Sequence, residues 1–160
     1  MAVTMKVEGL DEISEMLSQL ENDAQKIASM ALYEGAGVMS GEIFRSAKAV
    51  RAEPFHYAVF GTRLPSEEEK EALLANGGIG IAKFDKNGSE VNTSVGYGNS
   101  GYTEIKGRQK AVAQIANSIN SGTSFMQKQP FIRKAASDGT KKATEAIRRA
   151  IEARVNEIIK

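Results

Sequence analysis

Gly96-Tyr97-Gly98-Asn99-Ser100-Gly101 has the G-x-G-x-x-G spacing of loops that cradle a phosphate. Such a cradle works when a helix opens on the glycines and turns its N-terminal N–H groups toward the anion. Tyr102-Thr103-Glu104-Ile105-Lys106-Gly107 is a poor helix start. No acidic residue follows at the offset of about 20 residues expected of a ribose contact, and no Lys-bearing strand follows as in a kinase. The segment is therefore expected to be a flexible loop. His56 is the one histidine and there is no cysteine. One subunit can then assemble neither a histidine metal cluster nor a thiolate nucleophile, metal site or disulfide. His56, flanked by Phe55 and Tyr57, reads as a loop or strand-edge residue. Glu67-Glu68-Glu69 gathers three carboxylates, but around one helical turn, where they favour the dipole and solvent over acid–base work. The last helix carries Lys141, Arg148, Arg149 and Arg154, which could neutralise phosphates. Glu145, Glu152 and Glu157 interrupt that run, no aromatic residue lies there to stack on bases, and the pI of about 7.9 is low for a nucleic-acid binder. These readings point away from an enzyme, from a cofactor or metal, and from specific nucleic-acid binding. A small DNA-binding protein using the basic C-terminal helix is the alternative.

The elements that must position these residues follow from periodicity. Val3, Met5 and Val7 alternate with polar residues as in a short strand. Asp11 is placed to cap a helix with Leu10, Ile13, Leu17 and Leu20 on one side, and a second helix is expected from Asn22 or Asp23 to Ala49. The second helix would bury Ile27, Met30, Ala31, Val38, Ile43 and Ala47. Gly35, Gly37 and Gly41 inside it mean either a break or close approach of another element. Residues 50–65 are irregular, with Phe55, Tyr57 and Val59 as an edge strand. Ser66 to Glu69 is a capping box that opens a short helix to Asn76, ended by Gly77 and Gly78. Ile79, Ile81 and Phe84, then Asn87-Gly88, then Val91, Thr93 and Val95 predict a hairpin. Val112, Ile115, Ala116 and Ile119 predict a helix capped by Gly122. After Pro130 a long amphipathic helix follows, with Ala143, Ile147, Ile151, Val155 and Ile158 on one face and a weak point at Asp138-Gly139. The expected fold is α+β: a small antiparallel sheet with a central hairpin, packed by long N-terminal and C-terminal helices, in a single domain over residues 1–160.

Composition agrees with that class. Apolar residues make up 41% and charged residues 26%, with no apolar run long enough for a membrane span and no secretory signal at the N-terminus. Synthesis in a reducing cytoplasm is the expectation. The net charge of +1 hides an asymmetry. Residues 1–105 hold 9 Lys/Arg against 16 Asp/Glu, and residues 106–160 hold 12 against 4. Such poles suit either stacking on copies or a complementary neighbour, or an internal balance between two halves folded together.

One stretch carries more information than any of these. Ser121-Gly122-Thr123-Ser124-Phe125, followed by Gln129-Pro130-Phe131-Ile132-Arg133-Lys134-Ala135, resembles the signature of the tail-component family of tailed bacteriophages, the tail-completion or neck proteins, in the branch found in phages and prophages of Gram-positive bacteria. The likeness extends in register over about 70 residues, through Gly80-Ile81-Ala82-Lys83, the Asn87-Gly88 turn, Val95-Gly96-Tyr97-Gly98, Tyr102, Gly107 and Ile115-Ala116. Val7 to Glu12 fits more loosely, and Arg51 to Arg63 lacks the Thr-Gly-x-Leu seen elsewhere in the family. The resemblance implies a structural protein of the virion, made in the host bacterial cytoplasm, that joins head and tail. It implies a homo-oligomeric ring in the particle and other neck and tail proteins (connector or stopper, tail terminator or tube) as partners, with no membrane. Gly122, Thr123, Ser124, Pro130, Phe131 and Arg133 are then the motif residues. They serve either simple packing or direct subunit contact, with Phe131 as the buried or interfacial anchor.

Overall fold

The two longest stretches of helical periodicity fold as α1 (Leu10–Lys48) and α4 (Phe131–Ile159), which pack against each other along their lengths. In the computed structural model, residues 10–54, 61–75, 78–87, 90–98 and 101–159 are described, with the backbone alone at 10–17, 19–21, 87, 90 and 159. The expected strand at Val3–Val7, the expected edge strand at Phe55, Tyr57 and Val59, and His56 lie outside the described residues. The pair is antiparallel. Gly35 faces Ala143 and Ile147, whereas Glu42, further along α1, faces Gly139 and Lys142, further back along α4.

Two expected breaks do not occur. Asn22-Asp23 lies inside α1, so the two predicted helices are one, and Leu10 already belongs to it rather than preceding an Asp11 cap. Neither residue removes a backbone donor, as proline would, so helical hydrogen bonding runs through the site. Asp138-Gly139 is likewise within α4. Gly139 is buried, and a Cβ there would stand 3.1 Å from both Met39 Sδ and Glu42 Cγ. At Gly35 a Cβ would stand 2.5 Å from Ile147 Cγ1, so this glycine permits close approach, whereas Gly37 and Gly41 face open space. Beside Gly139 the buried Glu42 carboxylate accepts from Lys142 Nζ at 2.8 Å and from Arg45 Nη1 at 3.0 Å. The Lys142 hydrogen bond holds Glu42 below the usual carboxylate range, against the effect of burial.

Between the long helices the chain makes α2 (Glu67–Leu74), six short strands and α3 (Val112–Ser121). The strands form three antiparallel pairs rather than one sheet. β2 (Asp85–Asn87) pairs with β3 (Glu90–Asn92), and β1 (Gly80–Ile81) with β4 (Val95–Gly96), so both belong to one long central hairpin. Asn87 stands opposite Glu90 in this register. Asn87, expected in the turn, is therefore the last residue of β2, and Gly88 lies outside the described residues.

A second hairpin had not been expected. β5 (Tyr102–Ile105) pairs with β6 (Arg108–Ala111) across Lys106-Gly107, at φ 52° and 73°. Positive φ at both central residues belongs to the tight hairpin turn whose twist matches the strands. The core gathers where α2, α3 and this hairpin meet the end of α1 and the start of α4. It includes Ile43, Ala47, Val50, Leu73, Tyr97, Ile105, Ile115, Ile119, Met126 and Phe131. Farther out along the helix pair the expected apolar faces are only partly covered. Ala31 and Ala143 are buried, but Met30, Ile151, Val155 and Ile158 are exposed. Among the described residues no helix is long and apolar enough to cross a membrane.

Candidate functional site

The residues from Ser121 to Phe131 turn the chain from α3 into α4. Gly122 ends α3 at φ 75°, and its N–H donates to Ser118 O at 2.9 Å. Glycine is needed there twice over. An L side chain is strained at that φ, and a Cβ would stand 2.9 Å from Lys128 Cβ and 3.2 Å from the Lys128 backbone. Thr123 then ties the loop to itself. Its N–H donates to Met126 O at 3.0 Å, and its hydroxyl accepts from the N–H groups of Phe125 (3.2 Å) and Met126 (3.0 Å). This local side-chain-to-backbone bonding is what threonine favours in turns.

The turn is also tied to distant segments. Arg63 N–H donates to Phe125 O and Gln127 N–H donates to Arg63 O, each at 2.8 Å. The Gln129 amide clasps both backbone polar groups of Arg51, accepting from its N–H at 2.8 Å and donating to its carbonyl at 2.9 Å. Gln129 N–H donates to Ile119 O, and Asn120 Oδ1 accepts the Ile132 N–H that opens α4. Pro130 stands just before α4, where it has no N–H to leave unsatisfied. Phe131 is 4% exposed and meets the Tyr97 ring edge-on, centroids 6.0 Å apart. The Tyr97 hydroxyl donates to Leu73 O, and burial pushes its phenol up to about 12.

Of the six motif residues, the structure therefore brings Gly122, Thr123 and Phe131 into one bonded and packed corner, with Pro130 at its exit. Ser124 and Arg133 are exposed. Sequence reasoning missed the residues that tie this corner to the rest: Arg51, Arg63, Asn120 and Gln129. Long-range hydrogen bonds between backbone and amide groups leave no local pattern; of the four only Gln129 stands in the signature stretch, and nothing local marks its clasp on Arg51.

It also misjudged Glu69. Glu67 and Glu68 are exposed as expected, but Glu69 is buried at 3% exposure. It completes the capping box by accepting from Ser66 N–H at 2.9 Å while the Ser66 hydroxyl accepts from Glu69 N–H at 3.0 Å. Its carboxylate also accepts a pair of hydrogen bonds from Arg63, at 2.6 and 2.8 Å, and a longer one from Lys110 at 3.4 Å. Burial alone would raise its pKa, but the Arg63 and Ser66 hydrogen bonds and the charges of Arg63 and Lys110 win and hold it at about 2.

An opening of about 290 Å³ lies over this network, lined also by Thr123, Phe125 and Met126. Both Glu69 oxygens are occupied by donors and the group is ionised throughout the neutral range. It is thus poorly suited to give or take a proton there. Among the described residues no group of three or more His, Asp or Glu stands close enough to hold a metal ion. Of the G-x-G-x-x-G segment, Asn99 and Ser100 lie outside the described residues. Gly96 lies in β4 and Tyr97 in the core, and the chain continues into β5, so no helix opens on the glycines. On α4, Arg148 and Arg154 are ion-paired to Glu152 and Glu157, each at 2.8 Å, which uses up part of the basic face. No protein-family model matches the sequence, and no curated protein or solved structure matches it significantly.

Proposed function

We propose that this protein is a structural component of the virion neck of a tailed phage or prophage, a tail-completion or head–tail joining protein that assembles as a ring. It is made in the host bacterial cytoplasm and carried in the particle, against connector or stopper, tail terminator or tube proteins. The observation that carries the reading is the use made of the Ser121–Ala135 stretch, the part of the sequence that most resembles the tail-component family. Gly122, Thr123 and Phe131 are spent on holding a corner between two helices, and their polar groups bond internally. A signature of this kind suits a subunit whose task is to keep a shape under assembly, with no reacting group to position. Heterologous contacts around a closed rotation would then make the ring.

Electron microscopy of the protein alone and mixed with purified phage connector and tail-tube proteins tests this. Rings of uniform size, alone or on the connector, are expected. Failure to bind any neck protein, together with a monomeric mass at every concentration, would remove the proposal.

A further inference from the structure

A second opening, of about 280 Å³, lies between the end of α1 and the start of α4 and is lined by three cations: Arg51, Lys128 and Lys134. No acidic residue lines it, and among the described residues none of the three cations forms an ion pair. Its other walls are Val50, Pro130 and the buried Phe131, so the charges surround an apolar floor. The Ser46 hydroxyl on its lining is shielded from solvent and has no hydrogen-bond partner. The Gln129 amide holds the Arg51 backbone beside it. A cleft of this composition accepts anionic oxygens.

The matching anions are on the same chain. Glu67, Glu68 and Glu71 of α2 are exposed and form no ion pair among the described residues, because Glu69 alone is turned inward to Arg63. They do not line the cleft of their own chain. One chain thus carries an unneutralised acidic ridge and an unneutralised basic cleft, which accounts physically for part of the charge asymmetry along the sequence. We infer that the basic cleft receives the Glu67–Glu71 face of α2 from a second copy, head to tail. A contact between two unlike patches is compatible with head-to-tail closure, as a ring requires, and the inference rests on the ring proposal. Individual exposed charge pairs are weak, so the contact is salt-sensitive and gains most of its strength from ring closure.

Zero-length carbodiimide cross-linking of the full chain, mixed from isotope-labelled and unlabelled protein, reads such a contact even when it is transient. Interchain amide links from Lys128 or Lys134 to Glu67, Glu68 or Glu71 are expected, falling severalfold in high salt. The variants Lys128→Glu/Lys134→Glu and Glu67→Lys/Glu68→Lys should each lose these links. Mixing the two should restore them, and only between unlike chains. Links and assembly that survive both reversals, or links that fall elsewhere, would overturn the cleft assignment and leave the ring proposal standing. No interchain link and no assembly under any condition would overturn both. Retardation of duplex DNA that is lost in Lys128→Glu/Lys134→Glu, without interchain links, would reassign the cleft to nucleic acid.

Discussion

At the corner, contacts join segments far apart in the chain: Arg51 with Gln129, Arg63 with Phe125 and Gln127, and Glu69 with Lys110. Along the outer part of the α1–α4 pair, by contrast, the ion pairs among the described residues are local to one helix, as in Arg148–Glu152 and Arg154–Glu157, and the helices meet through small residues. Apolar side chains there stay exposed, Ile158 at 60%. The difference locates the cooperative part of the fold. Buried, satisfied polar groups and a packed aromatic pair make the corner end hard to alter, whereas the outer helices gain little from each contact and tolerate change.

Five substitutions sharpen this contrast, and urea unfolding followed by circular dichroism measures each. Phe131→Ala should cost about 3–5 kcal/mol, since it empties a packed site beside Tyr97. Ile158→Ala in the outer helix should cost less than about 0.5 kcal/mol; comparable losses at the two sites would erase the distinction. Gly122→Ala should cost about 2–3 kcal/mol from the positive φ and the Lys128 contact. Glu69→Gln should cost about 2 kcal/mol, below the usual figure for a broken buried pair because Arg63 and Lys110 are near enough to the surface to reach water. At the small end, Gly37→Ala fills open space in α1 and should stabilise by up to about 1 kcal/mol through helix propensity.

Glu69 also sets a pH signature for the corner. Its folded pKa of about 2 lies below the ordinary 4.5, so its stabilising contribution is fully present above the ordinary value. It fades as pH falls from about 5 toward 2. Acid titration of the wild type should therefore show a loss of stability in that window which Glu69→Gln largely lacks. An identical acid limb in both proteins would mean that other carboxylates carry it.

How much of this was legible in the sequence depended on whether the signal was local. The Ser66–Glu69 box, the Val112–Ile119 periodicity with its Gly122 cap, and the two long terminal helices each announce themselves within a few residues, and the α+β class followed from their order. Helix continuity was harder. Asn22-Asp23 and Gly139 look like interruptions until the packing partner is known, and only the close approach of Met39 and Glu42 explains a glycine inside α4. The second hairpin leaves no turn signal in the sequence because Lys106 is an uncommon residue at positive φ. Glu69 looks solvated in the sequence because the cations that neutralise it, Arg63 and Lys110, come from six residues before it and from β6. The motif residues themselves were legible as a corner, but the amide clasp that fixes it was not.

The proposed place in the neck is tested most directly by the protein's abundance in purified tailed particles, counted by quantitative mass spectrometry against the coat protein after nuclease treatment and a high-salt wash. The account predicts a small, fixed number of copies per particle, equal between preparations and consistent with one ring. Absence from washed particles, or a copy number that varies with preparation, would contradict it.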